Sequence, residues 1–162
     1  MTRVISTILL VFWGLWFGGN IALFIFVSAL FRHDRALAVD AAPVLFVSFE
    51  RYHLILAAAS AILAGAWLTR ERGRATTVLF VLLLVAGTAA AVSGAVITPK
   101  IMQLRREHRI ESADFKRTHG ISMMVYSAEA LTLLAAGVAL SGGIHRQRGE
   151  GISAKRPSEV SA

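Results

Sequence analysis

Four apolar runs, each about 20 residues or longer, decide what this chain can fold into, because about 20 residues at 1.5 Å rise are what an α-helix needs to cross a bilayer. They fill most of the 162 residues, of which 56% are hydrophobic and only 17% charged, with a mean hydropathy of +0.62. That balance suits a lipid solvent, and the short connections leave no room for a separate soluble domain. The expected fold is an all-α integral membrane protein, a four-helix up-and-down transmembrane bundle. Its helices are expected over 4–31, 43–69, 76–111 with a kink near 99, and 112–141. Two of them extend past the bilayer on one side. The polar, basic stretch 142–162 reads as a disordered tail. Arg3 followed by an apolar run resembles a signal peptide, but the run is far longer than such a core, so it reads as a retained first helix.

The absence of cysteine removes disulfides, thiolate chemistry and cysteine-based metal sites. The net charge of +7 sits in the connections and tail, where it points to anionic lipid headgroups and not to nucleic acid. An even number of spans places both termini on one side, and the expected setting is the bacterial inner membrane. Charge bias does not orient the chain, since 8 Lys and Arg lie on one side and 9 on the other.

The polar residues inside the apolar runs are the candidates for function. His119, Ser122, Tyr126 and Glu129 follow one another at intervals of 3, 4 and 3, which puts them on one face of the fourth helix. Glu129 lies near the middle of its span, where an unpaired carboxylate costs several kcal/mol. Two readings follow, a proton- or cation-handling group or a structural hydrogen bond between helices, with Asn20 and Tyr126 as candidate partners. Asn20 stands on a first-helix face rich in aromatics, beside Gly14, Gly18 and Gly19, which are expected to let a neighbouring backbone come close. Gly87, Ala91, Ser93 and Gly94 are expected to pack against another helix, without a chemical role.

The second helix opens on Glu50, Arg51, Tyr52 and His53, with Asp40 and Pro43 as its expected start. Glu50 and His53 form a Glu-x-x-His pair, a half-motif of carboxylate-bridged metal bundles, although only one copy exists and an interfacial belt of paired polar residues is the plainer reading. Counting along the two hairpins at 1.5 Å per residue brings Arg51, His53, Lys100, His119 and Ser122 to one end of the bundle. His53 and His119, on different helices, are therefore candidate ligands of a transition metal or of haem iron, with Lys100 and Arg51 as anion or propionate contacts. His33, His108 and His145 read as exposed.

Those residues carry a family resemblance. GLWFGGNIALFIFVSALF, FERYH and ITPKIMQLRREHRIESADFKRTHGISMM together resemble the DUF4149 family, which includes the eukaryotic transmembrane protein 205 type, over about residues 10–140. The most specific part is Thr98, Pro99, Lys100, Ile101, Leu104 and Arg105, followed by Phe115, His119, Gly120 and Ser122. Many members carry an amide one turn after that serine, where this chain has Tyr126. The resemblance implies a four-pass membrane protein of undefined activity, with one eukaryotic branch linked to drug and platinum tolerance. FERYHLILAAASAILAGAWL is also distantly similar to CopD-like copper-resistance proteins and HemJ-type protoporphyrinogen oxidases. That likeness implies haem b or a copper-like ion, but the first run lacks a histidine and the third a lysine where the oxidases place theirs.

The expected function is a small membrane protein that binds or passes a metal cation, haem or another small ligand at this polar cluster. The ligand-binding set is His53, His119, Lys100, Arg51, Glu50, Ser122 and Tyr126, with His53 and His119 as the metal ligands and Glu129 and Asn20 as the intramembrane polar pair. Two further readings stand beside it: a non-catalytic accessory subunit of a larger membrane complex, or of a homo-oligomer, and a haem-dependent oxidoreductase. No motif in the chain argues for an enzyme on its own.

Overall fold

A computed structural model describes the backbone of residues 2–153 and the side chains of residues 4–144. Every element among them is helical: α1 (Thr2–His33), α2 (Arg35–Arg70), α3 (Arg74–Val92), one π-helical turn (Ser93–Ile97), α4 (Thr98–Arg106) and α5 (Ala113–Ser153). The π turn and α4 continue α3 into one long rod, so four rods are long and apolar enough to cross a membrane. α1 packs on α2, α2 on α3, α3 on α5 and α5 back on α1, which closes a square bundle with α2 and α5 across its diagonal. Large apolar side chains such as Val4, Phe26, Ile55, Ile62, Leu131 and Val138 face outward, as a lipid solvent permits.

The half of the bundle near the α2–α3 turn is a dry core of Leu9, Trp16, Leu56, Ala64, Trp67, Leu79, Leu83, Leu133 and Leu140. Its closest approach is at Gly137, where a Cβ would sit 2.3 Å from Trp13 Cζ2 and where the Trp13 indole donates to the Leu133 carbonyl at 2.7 Å. Ser6, Ser60 and Thr76 are buried within this half, while Asn20, Glu50, His53, Ser93, Ser122, Tyr126 and Glu129 occupy the other.

Several boundaries differ from the sequence expectation, each for a local reason. α2 starts at Arg35 and not near Pro43, because Asp34 caps it by accepting from the amides of Ala36 and Leu37. Pro43 therefore lies inside α2, where it cannot donate to the carbonyl of Val39, four residues back. Arg105 Nη1 donates to that carbonyl at 2.8 Å from α4, so the lost bond is replaced across the bundle. The rod leaves the α register at the π turn, just before Pro99, and α4 ends at Arg106 and not at 111. Its end is a Schellman motif with His108 in the left-handed region at φ 55°. The amide of Arg109 reaches Leu104 O at 2.9 Å and that of His108 reaches Arg105 O at 3.0 Å. α5 runs to Ser153, into the stretch read as a tail. Residues 154–162, like the His145 side chain, lie outside the described residues. Gly14 and Gly18 are also not used as expected, since a Cβ at either would meet nothing within 4 Å.

Candidate functional site

Two polar rungs cross the diagonal between α2 and α5, one helical turn apart. Glu50 and His53 are three residues apart on α2, and Tyr126 and Glu129 repeat that spacing on α5, so each pair presents both members to the same side. In the first rung the Tyr126 hydroxyl donates to Glu50 Oε1 at 3.0 Å. In the second, His53 Nδ1 stands 3.4 Å from Glu129 Oε1.

The Glu50 rung is well supplied with donors. Ser93 donates to Glu50 Oε1 at 3.0 Å, and the Thr98 hydroxyl donates to the same oxygen. Residues five apart on a regular α-helix point about 140° away from each other. The π turn removes that divergence: the Thr98 amide bonds to Ser93 O, one residue further back than in an α-helix, and both hydroxyls reach Glu50. Ser93 thus has a polar role that the small-residue pattern around it concealed. Tyr126 is held by its ring, 5.5 Å from Phe46 and 6.5 Å from Phe24. On the outer side of Glu50, Gly94 leaves Oε2 uncrowded, and Glu50, Arg51, Gly94, Thr98 and Pro99 line a cavity of about 300 Å³ between α2 and the third rod.

The Glu129 rung is buried more deeply and satisfied less. Glu129, Asn20 and His53 are at most 1% exposed. The Trp16 indole donates to Glu129 Oε1 at 2.8 Å. Glu129 Oε2, His53 Nε2 and both polar atoms of the Asn20 amide have no hydrogen-bond partner. A buried polar atom left in that state costs about 1–3 kcal/mol. No Lys or Arg is among the buried polar residues described, so neither carboxyl meets a permanent cation in the interior.

The other residues singled out from sequence are separated from this pair. His119 is exposed and stacks on Phe115, with centroids 6.0 Å apart and planes at 6°. Arg105 lies 5.8 Å above the same Phe115 ring. Together with the buried Ser122, His119 and Arg105 border a vestibule of about 50 Å³. Lys100 and Arg51 are exposed, the latter at the rim of the Glu50 cavity. Thr98 lines both the vestibule and the cavity, and its hydroxyl donates to Glu50, which lines the cavity alone. His53 faces Glu129 inside the bundle and His119 faces outward against Phe115. Among the described residues no three His, Asp or Glu side chains form a ready metal cluster.

Comparison with known proteins adds one match. No curated protein and no solved structure matches the chain. The similarity to CopD-like and HemJ-type proteins is not confirmed. A family model described as a domain of unknown function, DUF4149, matches residues 11–109, which include α2, the π turn and α4 but stop before the segment carrying His119 and Ser122. With well over half of its length matched, and with the four membrane-length helices expected for it, the chain is a member of the DUF4149 family.

Proposed function

We propose that this protein binds a small, hard cation inside the bundle at Glu129, Asn20 and His53, in exchange for a proton, with Glu50 as the group that admits it. One observation carries the reading: Glu129 is fully buried with Oε2 lacking a well-formed hydrogen bond, the Asn20 amide stands within side-chain reach of it, and no Lys or Arg is buried among the described residues. A carboxyl group in an apolar bundle needs a proton or a cation to neutralise it. Oxygen donors such as Glu129 Oε2 and Asn20 Oδ1 suit hard cations rather than soft ones. The cavity at Gly94 brings solvent-side space up to Glu50 Oε2, one turn from the second rung. Haem held between His53 and His119 draws no support from this arrangement, because the two imidazoles face different surroundings.

The test is proton release from purified protein in weakly buffered detergent solution on addition of lithium, sodium, potassium or calcium chloride. About one proton per bound cation is expected, with a change in tryptophan emission because Trp16 is bonded to Glu129. Glu129→Gln should abolish both signals. Folded protein that releases no proton and binds none of the cations would refute the reading.

An accessory-subunit role is supported by a different observation. Between α2 and α3 a groove of about 540 Å³, lined by Ala57, Ala58, Ala61, Gly87, Ala91 and Ala95, would accept a partner helix. Co-purification of a second chain from native membranes, lost on Ala61→Trp, would favour that role.

A further inference from the structure

We infer that the lipid-facing groove between α1 and α2 is a binding site for the ring of a quinone or quinol dissolved in the membrane, with His53 Nε2 as its hydrogen-bonding partner. This goes beyond the cation reading and needs no bound cation, although both use His53 and Glu129; the groove lies on the α1 side of α2 and the Glu50 cavity on the α3 side.

The groove holds about 450 Å³ and is lined by Gly14, Gly18, Gly19, Ser48, Phe49 and Tyr52 among others. Glycines in membrane helices ordinarily admit a neighbouring helix. Gly87 does so here against Ala57 and Trp16, and Gly137 against Trp13. Gly14 and Gly18 do not, because a Cβ at either would point into open space. Their bare backbone forms one flat wall of a slot whose other wall is the aromatic pair Phe49 and Tyr52, a shape that fits a planar ring and leaves its tail in lipid.

The second observation is an orphaned nitrogen beside Gly19, separated from the groove by the Tyr52 ring. His53 is 1% exposed and its Nε2 has no partner. Nε2 lies 3.7 Å from the position a Cβ on Gly19 would take, so it is directed at the glycine wall of the groove. The Tyr52 ring covers that point, 2.9 Å from the same Cβ position, and is tied to α1 by its hydroxyl donating to Leu15 O at 3.1 Å. Tilting this half-exposed ring outward would bring a ligand oxygen within reach of Nε2.

The other ring nitrogen explains why the class is quinone and quinol. Nδ1 stands 3.4 Å from Glu129 Oε1. In a neutral imidazole one nitrogen donates and the other accepts. When Nδ1 carries the proton and points it at Glu129, Nε2 accepts and suits a quinol hydroxyl. When Glu129 holds the proton, Nε2–H donates and suits a quinone carbonyl. The ligand whose oxygen alternates between those two states is the one this pair can hold in both.

A ubiquinone with one isoprene unit, titrated into the full-length protein in phosphatidylcholine nanodiscs, tests the inference. Saturable quenching of tryptophan emission is expected. Gly18→Leu starts its side chain from a Cβ with nothing within 4 Å and projects it into the slot, so it should weaken binding at least tenfold, while Gly120→Leu, whose Cβ is equally uncrowded but on α5, should leave it unchanged. Quinone should also move the imidazole nitrogen resonances assigned to His53 by their loss in His53→Asn. Quenching that never saturates, equal binding by wild type and Gly18→Leu, or an unmoved His53 resonance would overturn the proposal. So would displacement of the quinone by a brominated phospholipid acyl chain at equal mole fraction, which would make the groove a lipid seat.

Discussion

Replacing Glu50 by leucine leaves three hydroxyls, those of Ser93, Thr98 and Tyr126, without the oxygen they share. Ser93 and Thr98 can turn to main-chain carbonyls of their own rod, so each loses only the net value of a hydrogen bond, about 0.5–1.5 kcal/mol. Tyr126 cannot turn away, because Phe24 and Phe46 fix its ring and the residue is 2% exposed. Its orphaned hydroxyl adds about 1–3 kcal/mol. Removing the carboxyl also removes the cost of burying it, which offsets part of this, and about 2–4 kcal/mol of destabilisation remains. The sharper expectation concerns sign. Tyr126→Phe should destabilise the wild type, where it removes a donor to Glu50, and should stabilise Glu50→Leu by about 1–2 kcal/mol, where it removes an orphan. Reversible unfolding in mixed micelles, followed by tryptophan fluorescence on all four members of the cycle, measures both effects. If Tyr126→Phe has the same effect in both backgrounds, within about 0.5 kcal/mol, the bond across the diagonal carries no energy and the first rung is an accident of packing.

Two further outcomes follow from the helix ends. Arg105→Ala should cost about 1–2 kcal/mol by freeing the Val39 carbonyl, but only the cation–π share of about 0.5–1 kcal/mol when Pro43→Ala restores an amide hydrogen to that carbonyl; equal costs in both backgrounds would refute the cross-bundle cap. His108→Gly relieves a side chain held at φ 55° and should stabilise the protein by about 1 kcal/mol in the same unfolding assay. A loss of stability there would mean that the imidazole makes a contact worth more than the strain.

The fold is legible in the sequence where a single helix sets the answer. Runs of about 20 apolar residues fixed the four rods, and the 3, 4, 3 spacing on α5 put Ser122, Tyr126 and Glu129 on a buried face. The same spacing placed His119 on that face, yet it is exposed, because periodicity gives direction around a helix and not how far neighbouring rods extend to cover it. Pairing across the diagonal was not legible either. Glu50-x-x-His53 was visible as half of a motif, but its other half is Tyr126-x-x-Glu129, whose match depends on which helices face each other. The joint contact of Ser93 and Thr98 with Glu50 was not legible for a third reason, since an α-helical wheel separates them and only the π turn gathers them.

The two rungs argue for different roles because they share the same helices and differ in how completely they are satisfied. A network kept only to hold α2 against α5 would have its polar atoms filled, as Glu50 Oε1 is with donors from Ser93, Thr98 and Tyr126. One turn deeper, Glu129 is oriented by the Trp16 indole and approached by His53, while four polar atoms of Glu129, His53 and Asn20 stay open in a site with almost no exposure. Leaving those atoms open costs stability that a leucine or phenylalanine would recover. That contrast is what supports the two proposals: the upper rung sets the geometry, and the open atoms of the lower one are those to which we assign a cation at the carboxyl and amide oxygens and a ring oxygen at Nε2. Nδ1 of His53 faces Glu129 and its Nε2 faces Gly19, so under both proposals a change of proton at Glu129 would be felt on the groove side of the ring.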